Sequence, residues 1–300
     1  ETYLDKKGSL AVDAVVNSSV FTHSHYVALK TKDAIVDRFR DKFGIRPNVD
    51  VDTPDLRINI YMNKNKCIVS IDSSGYSLHK RGYRKKTGTA PINEVLAAGM
   101  ILLSEWNGQS NFIDPMCGSG TIVCEAALIA NNIPPGYYRK AFGFEKWKNF
   151  DNTIWEKVKK DALDLQKEFE YEIIGSDISA ESIAIAKENA LSAKLHKDIF
   201  FEVKPFENQI PPAGGGLMMV NPPYGERIKP EDIIKLYQSI GNTLKNHYQG
   251  YQAWIISSDL NALKFIGLKP SKKIDLFNGS LECKFLKFDV YSGSKKAKNN

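Results

Sequence analysis

The sequence predicts an α/β fold in two parts: a small α+β module at the front, then a larger domain on a mixed seven-stranded sheet. Three observations carry this expectation. Strand-like and helical runs alternate from residue 111 onwards. A Gly-rich turn, Asp114-Pro115-Met116-Cys117-Gly118-Ser119-Gly120-Thr121, joins a buried strand to an apolar helix. Two further polar motifs, Ser176-Asp177-Ile178 and Asn221-Pro222-Pro223-Tyr224, also fall at strand ends, where open α/β sheets place their ligands.

Composition sets the bounds. The chain has 300 residues, 42% hydrophobic and 25% charged, enough for a substantial core in an ordinary globular protein. No apolar run approaches the roughly 18 to 20 residues that span a bilayer, and no secretory signal is visible, so no membrane partner is expected. Residue 1 is Glu rather than Met, which reads as a trimmed chain lacking an N-terminal segment. Cys67, Cys117, Cys124 and Cys283 are scattered, without a Cys-x-x-Cys pair or a His at ligand spacing. Neither a metal site nor a disulfide framework is expected, and a reducing cytoplasm fits. The net charge of +6 is uneven: residues 1–90 hold 16 Lys and Arg against 10 Asp and Glu, leaving 25 against 25 in the remaining 210. A basic front on a neutral body points to a polyanion, with a solvated surface as the alternative.

In the front part, residues 9–16 read as a strand. Tyr26, Leu29, Ile35, Val36, Phe39 and Phe43 give residues 23–43 a helical spacing, ended by Gly44 with Pro47 just beyond. Leu56, Ile58, Ile60 and Met62 alternate with polar neighbours, as do Cys67, Val69 and Ile71, with Asn63-Lys64-Asn65 as the hairpin turn. Lys30, Lys32 and Arg38 on the helix form either an RNA-facing surface or its wet side. Residues 78–90 turn polar and cationic, with Arg81, Arg84, Lys85 and Lys86 around Gly82 and Tyr83. They read as an interdomain linker, attracted to phosphates or basic for solubility alone.

The second domain opens with an apolar helix starting at Pro91. The strand at 111–113, the Gly-rich turn and a helix over 122–130 form a nucleotide-binding opening, in which small residues let backbone N–H groups approach a ligand at a helix N-terminus. The turn lacks both the Lys-Ser/Thr of a P-loop and the full Gly-x-Gly-x-x-Gly fingerprint, which disfavours di- and trinucleotide cofactors. Residues 131–170 interrupt the rhythm with Tyr137, Tyr138, Phe142, Phe144, Trp147, Phe150 and Trp155. This insertion is either a satellite core over the active-site rim or a base-stacking platform. Strands follow at 171–175, where Asp177 is placed to accept from ribose hydroxyls, then at 199–203, 217–220 and 251–257. Helices are expected over 180–193 and 233–248, with a last hairpin around Asn278-Gly279 and a disordered tail from 292.

Asn221-Pro222-Pro223-Tyr224 has its own chemistry. Two prolines fix their φ and push the residue before each away from helix, so the strand exit is rigid. The Asn221 side-chain oxygen and the Pro222 carbonyl can accept two hydrogen bonds from one planar NH2, and Tyr224 offers a stacking face. The motif is therefore either a holder for an amino group on a flat ring or a plain Pro-rich exit with a surface Tyr.

With these motifs in this order, residues 91–291 resemble a Rossmann-like class I S-adenosylmethionine-dependent methyltransferase. Arg81-Gly82-Tyr83-Arg84, Ala90-Pro91 with Asn93-Glu94 and Leu96-Ala97-Ala98, the Asp114 turn, and Asn221-Pro222-Pro223-Tyr224 with Gly225-Glu226-Arg227 extend the resemblance to the THUMP-domain RNA methyltransferases. Within these the chain is similar to the UPF0020-type, RlmL-like bacterial guanine-N2 branch. The resemblance implies a THUMP-like RNA-binding module over 1–77, a basic linker over 78–90, a methyltransferase domain over 91–291 with the 131–170 insertion, and a tail over 292–300. It implies that Asp114, Cys117, Gly118, Ser119, Gly120 and Thr121 line the methionine end of S-adenosylmethionine, that Asp177 takes the ribose with Ile178 against the adenine, and that Asn221 borders the cofactor. Asn221, Pro222, Pro223 and Tyr224 would hold the target base, and Lys30, Lys32, Arg38, Arg81, Arg84, Lys85 and Lys86 would contact RNA. Pro205 stands where this family usually has an Asp for the adenine amino group. The implied reaction is methyl transfer to guanosine N2 in 23S ribosomal RNA. A transfer RNA guanine-N2 target, an adenine-N6 target, and a non-catalytic RNA-binding or ribosome-assembly role are the alternatives.

Overall fold

The computed structural model describes residues 2–18, 20–86, 92–223 and 230–291. Pro91, residues 87–90, Tyr224 with Gly225-Glu226-Arg227, and the tail 292–300 lie outside the described residues. The chain divides into two units, Glu1–Lys80 with Arg139–Asp161 and Arg81–Tyr138 with Ala162–Asn300.

The first unit is built on period-two alternation. Strands β1 (Ser9–Asn17), β2 (Asn48–Val49), β3 (Leu56–Asn63) and β4 (Lys66–Ile71) lie in the order β2-β1-β3-β4, with β1 parallel to both neighbours and β3–β4 an antiparallel hairpin. The parallel pairing needs a crossover, which helix α1 (Ser24–Phe43) supplies. Leu10, Leu56, Ile58 and Ile60 from the sheet pack with Val27, Val36 and Phe39 from α1. Tyr26 and Leu29, which the helical spacing places on the apolar face, are 55% and 41% exposed, because the buried stripe runs through Val27 instead. Gly44 ends α1 in the left-handed region at φ 70°, its N–H donating to the Arg40 carbonyl.

In chain order the next elements are α2 (Glu94–Leu103), β5 (Asn111–Asp114), α3 (Thr121–Ala130), α4 (Asn152–Asp164), β6 (Ile173–Asp177) and α5 (Ala180–Ser192). Then come β7 (Ile199–Val203), β8 (Gly216–Val220), α6 (Pro230–His247), β9 (Tyr251–Ser257), β10 (Lys272–Asn278) and β11 (Leu281–Asp289). The second unit's sheet runs β10-β11-β9-β8-β5-β6-β7, and β11 alone is antiparallel to its neighbours. Successive strand residues face opposite layers. Phe112, Ile173, Leu217, Met219 and Trp254 belong to one apolar core, which includes residues of α2, α3 and α5, while Ile113, Ile174, Met218, Val220 and Ile255 belong to the other, with α6. Strand order reverses at β5, between β6 on one side and β8 on the other, which creates a crevice at the strand ends. Asn93 caps α2, its side chain accepting from the Val95 and Leu96 N–H groups at 2.9 and 3.2 Å.

The expected 131–170 insertion is divided between the units, and its central part, Arg139–Asp161, belongs to the first. Arg139 explains why. Its guanidinium donates to the carbonyls of Ser74, Tyr76, Ser77 and Lys80 at 2.8 to 3.1 Å and lies 3.8 Å from the Tyr76 ring centroid. The aromatic residues pack on one another and on the front of the chain: Phe142 stacks on Phe144 at 5.4 Å, Phe144 meets Trp155 at 5.0 Å, and Trp147 meets Tyr3 at 5.1 Å. These rings therefore form a partly buried cluster within the first unit, with Trp147 against its core, rather than a free base-stacking platform. The charge balance moves with them. The first unit holds 19 Lys and Arg against 14 Asp and Glu, leaving 22 against 21 for the second.

Candidate active site

The ends of β5 and β6 form one rigid corner. The Cys117 N–H donates to the Ser176 carbonyl at 2.9 Å, and the Gly118 N–H donates to Asp177 Oδ2 at 2.9 Å. Asp177 Oδ1 accepts from the Ser179 N–H at 2.9 Å, so each carboxylate oxygen is fixed by one backbone amide and keeps acceptor capacity for a ligand. Gly118 and Gly120 have φ values of 53° and 79°, a region other residues rarely enter. A Cβ on Gly120 would stand 3.0 Å from the Ala186 Cβ, so this glycine also serves the close approach of α3 and α5.

A cavity of about 440 Å³ lies at these strand ends. Asp114, Cys117, Gly118, Ser119, Thr121, Asp177, Ile178 and Asn221, all named from the sequence, line it together with Pro223. Gly120 and Pro222 are not in its wall; Gly120 forms the α3 N-cap behind it, and Pro222 is buried. Tyr224 lies outside the described residues. Pro205, Phe206 and Glu207 border the cavity where an Asp was expected. Ile92, Ser182, Ile185 and Leu236 also line it and were not foreseen. Helical spacing from Ile178 to Ser182 and Ile185 was the available signal for two of them.

Two polar atoms in the cavity walls lack partners. Asp114 Oδ2 and Asn221 Oδ1 are buried and find no hydrogen bond among the described residues, although buried polar groups are almost always paired. Burial pushes the Asp114 carboxyl well above the usual carboxylate range; the Met116 N–H opposes this and the Asp177 charge adds to it. The Cys117 thiol is likewise pushed up by burial, with the charges of Asp114 and Asp177 contributing, and burial also raises Cys124. Neither is disposed to be a thiolate nucleophile.

Arg81 and Arg84, expected on an exposed linker, are instead inside the second unit. Arg81 Nη2 lies 3.3 Å from Glu125 Oε2 on α3, and the Tyr83 hydroxyl donates to Glu125 Oε1 at 2.8 Å. Burial pushes the Glu125 carboxyl up, and Arg81 and Tyr83 oppose that shift. Arg84 pairs with Glu94 and Thr121. The cost of burying these cations is offset by fixed partners, which removes both from an RNA-facing surface. Lys85 and Lys86 do expose their side chains, and Lys86 Nζ meets Glu188 at 3.1 Å. Lys30 and Arg38 are exposed on α1, whereas Lys32 is partly buried and pairs with Asp33 at 2.8 Å.

The cavity fits S-adenosylmethionine: an acid fixed for ribose, an open glycine position at Gly118 with nothing within 4 Å of a built Cβ, and an unpartnered buried acceptor at Asp114. Sheet order and site together define a class I S-adenosylmethionine-dependent methyltransferase.

Comparison with known proteins gives the particular family. The UPF0020 family model, described as RMKL-like, methyltransferase domain, matches residues 81–287, and the THUMP domain model matches residues 1–72. The chain belongs to the UPF0020 methyltransferase family and carries a THUMP domain. It is 39% identical to "Ribosomal RNA large subunit methyltransferase K/L" of Syntrophotalea carbinolica over 97% of this chain and 42% of the relative. It is 36% identical to "Putative RNA methyltransferase slr0064" of Synechocystis sp., over 97% of this chain and 76% of that protein. The chain thus spans less than half the length of its K/L relatives. Among solved structures, "SMU.472, a putative methyltransferase complexed with SAH" superposes with a TM-score of 0.87 at 31% identity, over 97% of this chain and 78% of the other. No helix among the described residues is long and apolar enough to cross a membrane, and no group of three or more His, Cys, Asp or Glu among them could hold a metal ion.

Proposed function

We propose that the protein methylates the exocyclic N2 of a guanosine in 23S ribosomal RNA, with Asn221 as the holder of the amino group. The observation that carries this reading is Asn221 Oδ1, a buried acceptor without a partner among the described residues, in the wall of the cavity that also presents Asp114 and Asp177. When bound, the cofactor supplies a methyl group on a sulfonium. Asp177 would accept from ribose hydroxyls, Ile178 and Phe206 would give the adenine apolar contact, and Asp114 Oδ2 would accept from the α-ammonium of the methionine end. Asn221 Oδ1 and the Pro222 carbonyl accept from the target NH2, favouring a geometry that frees its conjugated lone pair and stabilising the positive charge that develops on nitrogen. Proximity and in-line orientation supply most of the rest. The nitrogen proton becomes acidic as the new bond forms and can leave to water, so a dedicated base is not required.

RNA selection falls to the first unit, whose net positive charge suits a polyanion. Lys30 and Arg38 on α1, with the exposed Lys140, Lys148, Lys157 and Lys160, supply candidate phosphate contacts. The RlmL-like resemblance supports guanine in ribosomal RNA over a transfer RNA or an adenine target, and a cytoplasmic setting suits that substrate.

The test is Asn221→Ala. Turnover should fall by about 100- to 1,000-fold, the usual effect of removing one charge-stabilising contact, while calorimetric affinity for S-adenosylhomocysteine stays within roughly twofold. Retained turnover would show the holder to be wrong.

A further inference from the structure

Arg81–Lys86 forms a strap whose polar contacts converge on the back of the cofactor turn. Arg84 Nη2 donates to Thr121 Oγ1 at 2.6 Å and to the Ile92 carbonyl at 3.0 Å, while its Nε lies 3.2 Å from Glu94 Oε1. Asn189, buried on α5, uses both ends of its amide. Its Oδ1 accepts from the Lys85 and Lys86 N–H groups at 2.9 and 3.3 Å, and its Nδ2 donates to the carbonyls of Lys86 and Ser119, each at 3.1 Å. Ser119 and Thr121 flank Gly120, and both line the cofactor cavity, as does Ile92. Arg84 and Asn189 are absent from that wall.

We propose that Arg84 and Asn189 are positioning residues: they clamp the strap to the cofactor turn and so set the geometry with which Ser119 and Thr121 meet the cofactor. The inference rests on the cofactor reading of the cavity and adds residues that do not touch the ligand. Physical chemistry favours Arg at this place. A guanidinium is a planar fork that can serve Glu94, Ile92 and Thr121 together, whereas a Lys ammonium on a flexible stem is a compact point charge that does not match the fork. The Asn189 amide makes four hydrogen bonds to three residues, which ties the backbone of the strap directly to the turn. Because Arg84 holds Thr121 and Ile92 and Asn189 holds Ser119, all three in the cavity wall, filling the cavity should order the strap, and loosening the strap should weaken binding by the same coupling.

Calorimetry with S-adenosylhomocysteine on Arg84→Lys, Thr121→Val and the double variant tests the clamp. Each single variant should weaken binding by about tenfold, the scale of one lost charge-assisted contact. The double variant should lose less than the sum of the two single losses, because the Arg84–Thr121 contact is removed by both. Additive losses, or a lowered melting temperature with unchanged affinity, would reduce Arg84 to a fold-stabilising residue and overturn the proposal. Should Arg84→Lys fail to fold, amide hydrogen exchange on the unaltered protein decides. The Lys85 and Lys86 amides, which lie outside the cavity wall, should exchange several-fold more slowly with S-adenosylhomocysteine bound, and equal exchange would contradict the clamp. If the unaltered protein bound no S-adenosylhomocysteine at all, the cofactor reading and this inference would fall together.

Discussion

Asp114 concentrates the site's electrostatics. Its carboxyl is buried, one oxygen lacks a partner among the described residues, and burial holds it well above the usual carboxylate range. The sign on folding follows from linkage. Below the ordinary carboxylate value, both folded and unfolded chains keep the proton, and the folded chain is at no disadvantage. As pH rises, the unfolded chain releases its proton first, so this group progressively disfavours the folded state until its own raised value is passed. Ligand binding responds in the opposite direction, because the α-ammonium of the ligand's methionine end favours the ionised carboxylate. Affinity for S-adenosylhomocysteine should therefore rise as pH climbs from the ordinary carboxylate range towards the raised value of Asp114, with proton release on binding, and Asp114→Asn should flatten that dependence. Calorimetry in buffers of different ionisation enthalpy reads both effects, and affinity that falls with pH would contradict the assignment. Asp114, Asp177 and Asn221 were legible in the sequence because each sits at a strand end in a short motif. Arg84 and Asn189 were not, since a cation in a basic run looks solvated until its distant partners are known.

Elements follow local pattern where contacts are local. The alternation in β3 and β4, the Gly44 stop of α1 and the seven strands of the second sheet were all readable from periodicity and turn residues. The assignment of Arg139–Asp161 to the first unit was not, because it depends on Arg139 reaching carbonyls more than fifty residues away in sequence. Two glycines test packing at this scale. A Cβ on Gly241 in α6 would lie 1.8 Å from the Ile266 carbonyl oxygen, whereas a Cβ on Gly99 in α2 would meet nothing within 4 Å. Gly241→Ala should destabilise the protein by roughly 1 to 3 kcal/mol or more, as overpacking does. Gly99→Ala should be neutral or stabilise by up to ~1 kcal/mol through helix propensity. Denaturant unfolding measures both, and a tolerated Gly241→Ala would show that α6 does not pack as described.

At the scale of the whole molecule, the charge is distributed differently from its linear reading. The basic run at 81–86 gives two of its cations to internal pairs, while Arg139–Asp161 brings seven Lys and Arg against four Asp and Glu to the first unit. RNA affinity should therefore depend on that segment as well as on α1. Replacing Lys140, Lys148, Lys157 and Lys160 by Gln should weaken RNA binding and lower the slope of log affinity against log salt by about 0.7 to 0.9 for each phosphate contact removed, with S-adenosylhomocysteine binding unchanged. An unaltered slope would return these lysines to a solvated surface. Methyl transfer from the second unit to RNA held by the first is the claim that joins the two, and the modified nucleoside itself tests it most directly. The protein should be incubated with S-adenosylmethionine and unmodified 23S ribosomal RNA, and the digest examined by mass spectrometry. N2-methylguanosine is expected at a single position; N6-methyladenosine, or no methylated nucleoside despite intact cofactor binding, would contradict methyl transfer to guanine N2.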